Sequence, residues 1–291
     1  MRHARAGRAG FPPVERAKVV AVACELPSQR KIPLGRHFAS SVWEVLRAEG
    51  STMSLRTVQR VLAENELKPW RYRSWIHPRD PDFEVKAGVI LGLYEGVWEG
   101  ARLGAGERIV CADEKPSIQA RRRRVMPPAP GYPGLFESDY QRAGVVQYLA
   151  AWDVRAGVPW GRCELKMSIA AFDRLVDQVM TSEPYRSATR VFWIVDNCSS
   201  HRGAKAAQRL HGRYANLMLV HTPVHASWLN QVEIFFSILQ RKVLSPAAAA
   251  DVAELTGRIL GFETRCREHP KPFNWKFTRA DFRQRLHRLA T

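Results

Sequence analysis

The sequence predicts an α/β protein in which a small all-α unit precedes a larger domain built on a mixed five-stranded sheet with flanking helices. Three observations carry this expectation. Val191-Phe192-Trp193-Ile194-Val195 is apolar without alternation, as in a strand buried on both faces, and it ends in the acidic pair Asp196-Asn197. Strand-like segments at residues 107–112, 144–152 and 158–166 follow one another without an intervening helix, which suits antiparallel pairing, whereas helix and strand alternate beyond residue 168. Ahead of both, short segments before residue 66 repeat their apolar residues at helical spacing.

Composition narrows the partners. A chain of 291 residues, 45% hydrophobic and 10% aromatic, can bury a sizeable core and a smaller second one. Its formal net charge of +17 calls for a polyanion, of which nucleic acid is the simplest and an anionic membrane surface the competitor. No apolar run approaches the roughly 20 residues that span a bilayer, and Met1-Arg2-His3-Ala4-Arg5 lacks the apolar stretch of a secretory signal, so a cytoplasmic location is expected. The cysteines, Cys24, Cys111, Cys163, Cys198 and Cys266, are scattered and form no Cys-x-x-Cys pair, so they read as small core residues rather than a disulfide framework or zinc knuckle.

Residues 1–13, rich in Arg, Gly and Pro, read as a basic disordered tail. Residues 14–66 read as a helical domain. A first helix runs from Val14 to Leu26 behind Pro12-Pro13, and a second from about Arg36 to Glu49, with Gly50 as its stop. Ser54 is a good N-cap for a third, Leu55 to Glu64. Such a trio resembles a helix-turn-helix, in which Arg56, Thr57, Gln59 and Arg60 of the last helix would contact phosphates or base edges while Leu55, Val58, Val61 and Leu62 face inward. An ordinary three-helix bundle with a solvated basic face fits the pattern equally; the net charge favours DNA. Residues 67–81 form a basic aromatic linker in which Lys68, Arg71 and Arg73 interleave with Trp70, Tyr72 and Trp75, suited to following a DNA backbone or to anchoring the linker on the next domain.

The domain at 82–291 opens with a helix from Asp82 to about Glu99. After the antiparallel trio come a helix at 168–180, the strand that ends at Asp196, a helix at 203–213, a strand at 217–220, and a helix whose stripe Val232, Phe235, Phe236 and Leu239 docks it on the core. This order is that of a ribonuclease-H-like fold. In it Asp113 and Asp196 each end a strand, and Glu233 lies on the helix that follows, near Asn230 on the helix surface. Three carboxylates held together repel one another unless positive charge joins them, and their hard oxygens suit Mg²⁺ or Mn²⁺. Two such ions roughly 3.5–4 Å apart serve an in-line phosphoryl displacement, the chemistry of strand cleavage and joining.

The same residues carry a resemblance. Cys111-Ala112-Asp113-Glu114-Lys115, Trp193 to Asn197 with Ser199-Ser200-His201, and His221-Thr222-Pro223 continuing to Trp228-Leu229-Asn230-Gln231-Val232-Glu233 resemble bacterial insertion-sequence transposases of the mariner superfamily, with likeness from about Phe11 to the end. The resemblance implies catalysis by Asp113, Asp196 and Glu233 through two metal ions, and a homodimer that pairs element ends on double-stranded DNA. It also implies insertion at TA sites and a bacterial, nucleoid-associated protein. Related enzymes carry two helix-turn-helix units, of which this chain shows the second, so a non-catalytic or defective element-derived DNA-binding protein is the rival reading.

Other residues keep simpler readings beside these. Asp196-Asn197 alone is an ordinary strand-ending turn, Glu114 is an alternative ligand, Asp153 a weaker candidate acid, and Asn230 either a helix cap or a residue that orients a metal-bound water. Pro223 between His221 and His225 argues against a helical zinc pair. Arg121-Arg122-Arg123-Arg124 is either a solvated run or, through Arg121 and Arg122, a phosphate clamp near Asp113. The residues from Lys271 to Arg288 read as a closing amphipathic segment on the core.

Overall fold

The computed structural model describes residues 11–72, 80–197, 203–246 and 248–290. They divide into two compact units, one within residues 1–77 and one within 78–291.

The first unit holds α1 (Pro13–Cys24), α2 (Ala39–Ala48) and α3 (Leu55–Glu64). Val19 and Val22 of α1, Val42 and Leu46 of α2, and Val58, Val61 and Leu62 of α3 close one core, against which Leu67 and Trp70 also pack. Gly50, at φ +87°, supplies the left-handed residue that turns the chain after α2. Ser54 caps α3 by accepting a hydrogen bond from the Thr57 amide at 3.2 Å. Ser54→Ala should cost about 1 kcal/mol, so amide exchange across α3 should quicken roughly fivefold in the full chain.

The second unit opens with α4 (Phe83–Tyr94). The helix is shorter than its composition suggests, because Gly96 at φ +76° ends it and Val97–Trp98 (β1) turns back to pair with Ala101–Arg102 (β2). Next come β3 (Glu107–Arg122), the ribbon β4 (Val125–Met126) and β5 (Leu135–Phe136), then β6 (Gln141–Asp153) and β7 (Val158–Glu164). They are followed by α5 (Ile169–Met180), β8 (Arg190–Val195), α6 (Gly203–Arg213) and β9 (Leu217–His221). The chain closes with α7 (Val232–Lys242), α8 (Val252–Glu268) and α9 (Arg279–Ala290).

The main sheet is five-stranded in the order β7-β6-β3-β8-β9. β7, β6 and β3 pair antiparallel, and β3, β8 and β9 run parallel. This mixed topology, with helices on both faces, is the ribonuclease-H-like fold expected from the element order. Alternation along the strands sorts the core into two layers. Ile109, Cys111, Phe192 and Ile194 face α4, α7, α8 and α9, whereas Val110, Ala112, Val191, Trp193 and Val195 face α5 and α6. Phe273, Trp275 and Phe277 pack on the first layer and Phe282 of α9 is buried in it, as expected for a closing segment.

β3 departs from expectation. It runs far past Ala112, and its pairing with β6 shifts register between Lys115 and Ile118, where Ser117 takes φ +57°. Such a bulge absorbs Pro116, which the regular ladder would exclude. Asp113 therefore lies inside a strand rather than at its end. Cys111, Cys163 and Cys266 are buried or half-buried as expected, Cys24 is exposed, and Cys198 lies outside the described residues. No described helix is long and apolar enough to cross a membrane.

Candidate active site

The last parallel pair between β3 and β8 is Cys111 with Ile194. Two residues further along both chains stand Asp113 and Asp196, on the sheet face that Cys111 and Ile194 share. β8 ends at Val195 while β3 continues, so Asp113 flanks the point where the neighbouring chain leaves the sheet. The ends of β8 and β9 are tied by the Thr222 amide donating to Val195 O at 2.8 Å and by Asn197 Nδ2 donating to Thr222 O at 2.7 Å. Asp196 thus projects from a fixed edge.

Oxygen atoms of Asp113, Glu114 and Asp196 lie within 4.8 Å of one another. Asp113 is 9% exposed, and its Oδ1 accepts the Glu114 amide at 2.7 Å. Burial pushes its carboxyl up from 3.8 to about 7 against that hydrogen bond, with the charges of Asp196, Glu114 and Glu233 adding to the rise. Glu233, half-buried in the first turn of α7, is also raised, mainly by burial; Lys115 opposes the shift and Asp196 adds to it. Glu233 lies outside the close trio yet within reach of its field.

Asn230 sets that geometry, and not from the helix surface as its spacing suggests. A short 3-10 turn at Ser227–Leu229 precedes it, α7 begins only at Val232, and the Asn230 side chain is fully buried. Its Nδ2 donates to Ala112 O at 2.9 Å, the carbonyl beside Asp113, and Tyr94 Oη donates to Leu229 O at 2.6 Å. These bonds tether the entry of α7 to β3 and α4 and so fix the turn of helix from which Glu233 projects.

The arrangement fits hard divalent cations. The close trio of Asp113, Glu114 and Asp196 presents only oxygen donors, with no thiol or imidazole. Burial chiefly, and the neighbouring acids in addition, disfavour the ionised Asp113, and a bound cation would offset both.

The other candidates fall elsewhere. Asp153 is fully buried and spent on structure: it accepts the Arg155 and Ala156 amides at 2.9 and 2.8 Å and the Tyr185 hydroxyl at 2.9 Å. His221 ends β9 and His225, at φ +62°, sits in the turn after it, so the two do not share a helix. Arg121 and Arg122 share a strand with Asp113 but lie roughly 25 Å along it at ~3.3 Å per residue. Arg121 stacks over Tyr140, and Arg122 donates to Ala250 O, so the structure does not bring them to the acids. In the first unit Arg56, Gln59 and Arg60 are exposed along α3, and Thr57 is half-buried beside Ser54. Lys68 and Arg71 are exposed after it, whereas Arg73 lies outside the described residues, as do Ser199, Ser200 and His201.

Residues 108–256 match the family model described as DDE superfamily endonuclease, just over half of the chain and a span that includes Asp113, Asp196 and Glu233. The chain belongs to the DDE superfamily endonucleases. Among solved structures it is similar to the Mos1 transposase paired-end complex with left transposon end, at 18% identity over 92% of this chain and 83% of that one, with a TM-score of 0.49. It is also similar to the Mos1 strand transfer complex, at 18% identity over 92% and 82% of the two chains and a TM-score of 0.48. A third similar structure is the mariner Mos1 paired end complex with Mg, at 17% identity over 94% and 85%, with a TM-score of 0.46. No curated protein matches. Within an endonuclease family, Asp196 just past the carboxyl end of β8, with Asp113 beside it on the neighbouring parallel strand, is a place where chemistry is commonly found in α/β sheets.

Proposed function

We propose that this DDE endonuclease is a DNA transposase of the mariner type, encoded by a bacterial insertion sequence, which cuts the ends of its element and joins them to TA-containing target DNA. The observation that carries the reading is the meeting of Asp113 and Asp196, with Glu114 inside 4.8 Å, where β8 ends beside β3 in a chain of this family. In this reading Asp113, Asp196 and Glu233 are the catalytic acids and the cation ligands, with Glu114 as a further donor. Two divalent cations, Mg²⁺ or Mn²⁺, would supply neutralising charge, activation of the attacking water or 3′-hydroxyl, and stabilisation of the leaving oxygen in an in-line displacement.

The chain's own groups do the rest. Asn230 keeps Glu233 facing the aspartates through its bond to Ala112 O. Lys115, whose charge is felt by Glu233, places a cation where a DNA phosphate approaches. Arg56, Thr57, Gln59 and Arg60 of α3 read the element end, and Lys68, Arg71 and Arg73 follow its backbone. The active form is a homodimer holding two element ends, in the bacterial cytoplasm.

Joining is the test that separates a transposase from a simple nuclease. Incubated with Mg²⁺, a duplex carrying the neighbouring element end and a TA-containing target should yield joined products, and nicked products alone would reduce the protein to a nuclease. A chain that binds this DNA without cutting it would favour the non-catalytic element-derived reading. Arg56→Ala with Arg60→Ala should lower the slope of log affinity against log salt by about 2, the loss expected for two phosphate contacts. An unchanged slope would remove α3 from the interface.

A further inference from the structure

On the sheet face covered by α7 and α8 lies a cavity of about 630 Å³. Its walls come from Trp152 at the end of β6, Phe235 and Lys242 of α7, Phe262 and Arg265 of α8, and the segment 271–274. That segment is held close: a Cβ on Gly157, at φ +68°, would stand 2.2 Å from Pro272 N. The wall is therefore built, not draped.

Two features of this cavity are unusual together. Four aromatic rings stack through its floor nearly in parallel. Phe273 lies on Trp152 at 4.2 Å and 13°, Trp152 on Phe235 at 5.7 Å and 23°, and Phe235 on Phe262 at 6.2 Å and 17°. Trp152 and Phe235 are buried, while the outer rings Phe262 and Phe273 remain half-exposed at the cavity. The Trp152 indole N–H has no acceptor among the described residues although it is buried. Around the floor stand Lys242, Arg265, His269 and Lys271, and no acidic residue lines the cavity. None of the four takes part in an ion pair of the described residues.

Flat apolar faces ringed by basic side chains suit a ligand that is flat at one end and anionic at the other. We infer that this cavity receives an unpaired nucleobase of a DNA strand, stacked on the outer aromatic rings, with its phosphate held by Arg265 and Lys271. A duplex offers no free base face, so the ligand is a nucleotide outside the helix, such as one exposed where a strand has been cut. This inference rests on the DNA-processing reading and adds to it a site whose lining includes none of the acids.

The test compares two duplexes of the same sequence, one blunt and one with a short single-stranded extension carrying 2-aminopurine, in EDTA so that no strand is cut. The full chain should bind the extended duplex about tenfold more tightly and quench its fluorescence, as stacking of one base would give. Arg265→Ala with Lys271→Ala should abolish that preference and leave affinity for the blunt duplex intact. A 5-iodouracil in the extension should crosslink to a peptide containing Phe262 or Phe273. Equal binding of the two duplexes by the unaltered chain would overturn the cavity's role and leave the DNA reading standing; binding to neither would overturn both. Saturation by free dAMP with no preference between the duplexes would assign the cavity to a free nucleotide and equally overturn the inference.

Discussion

Replacing Asp113 by asparagine is expected to raise the Tm of the metal-free protein's second unit at pH 8 by several degrees while abolishing DNA cleavage. Burial, with the nearby acids adding, lifts the Asp113 carboxyl from 3.8 to about 7 in the folded chain. Between those values the folded state binds a proton that the unfolded state has lost, so stability falls as pH rises. The contribution is fully present below about pH 4 and gone above about pH 7. At pH 8 the ionised Asp113 costs on the order of 4 kcal/mol at most, and each kcal/mol moves Tm by about 2–4 °C in a domain of this size. Asparagine keeps an oxygen for the Glu114 amide and removes the charge. Added Mn²⁺ should raise the Tm of the unaltered chain and leave Asp113→Asn nearly unmoved, a readout independent of DNA. Equal stability of the two proteins across pH 4–8 would show that the acids are not under charge strain.

The second large effect is expected at Asn230, which touches no substrate in this account. Asn230→Ala leaves the buried Ala112 carbonyl without its partner and removes the side chain that also receives the Val232 amide, at 3.5 Å. Leaving a buried acceptor unsatisfied costs about 1–3 kcal/mol. The larger consequence is positional, because Glu233 lies one residue beyond Val232, at the start of α7. Cleavage should therefore slow roughly a hundredfold through kcat, with DNA affinity nearly unchanged, since a displacement of about 1 Å from productive geometry can cost that much. Loss of affinity with kcat preserved would place Asn230 in DNA binding instead.

Much of this was legible in the residues, and the exceptions share physical causes. The five apolar residues before Asp196 admit one reading, a doubly buried strand, and the stripe on α7 another, a docked helix; both are found. The length of β3 was hidden because Glu114, Lys115, Pro116 and Ser117 read as a strand end, while a bulge with a left-handed Ser117 carries the strand through them. α8 escaped because its inward stripe of Leu255, Ile259 and Phe262 is set among charged residues, Thr and Gly. The role of Asn230 was not available from spacing, since its partner is a backbone carbonyl more than a hundred residues away.

The central claim is that Asp113 and Asp196 form the cation-dependent cutting site. It is tested most directly by following nicking of a labelled element-end duplex against Mg²⁺ or Mn²⁺ concentration, with the unaltered chain beside Asp196→Ala. The account predicts nicking that rises with metal, disappears in EDTA, and falls roughly a thousandfold or more in Asp196→Ala while DNA binding persists. Nicking that survives in EDTA, or in Asp196→Ala at an undiminished rate, would contradict it.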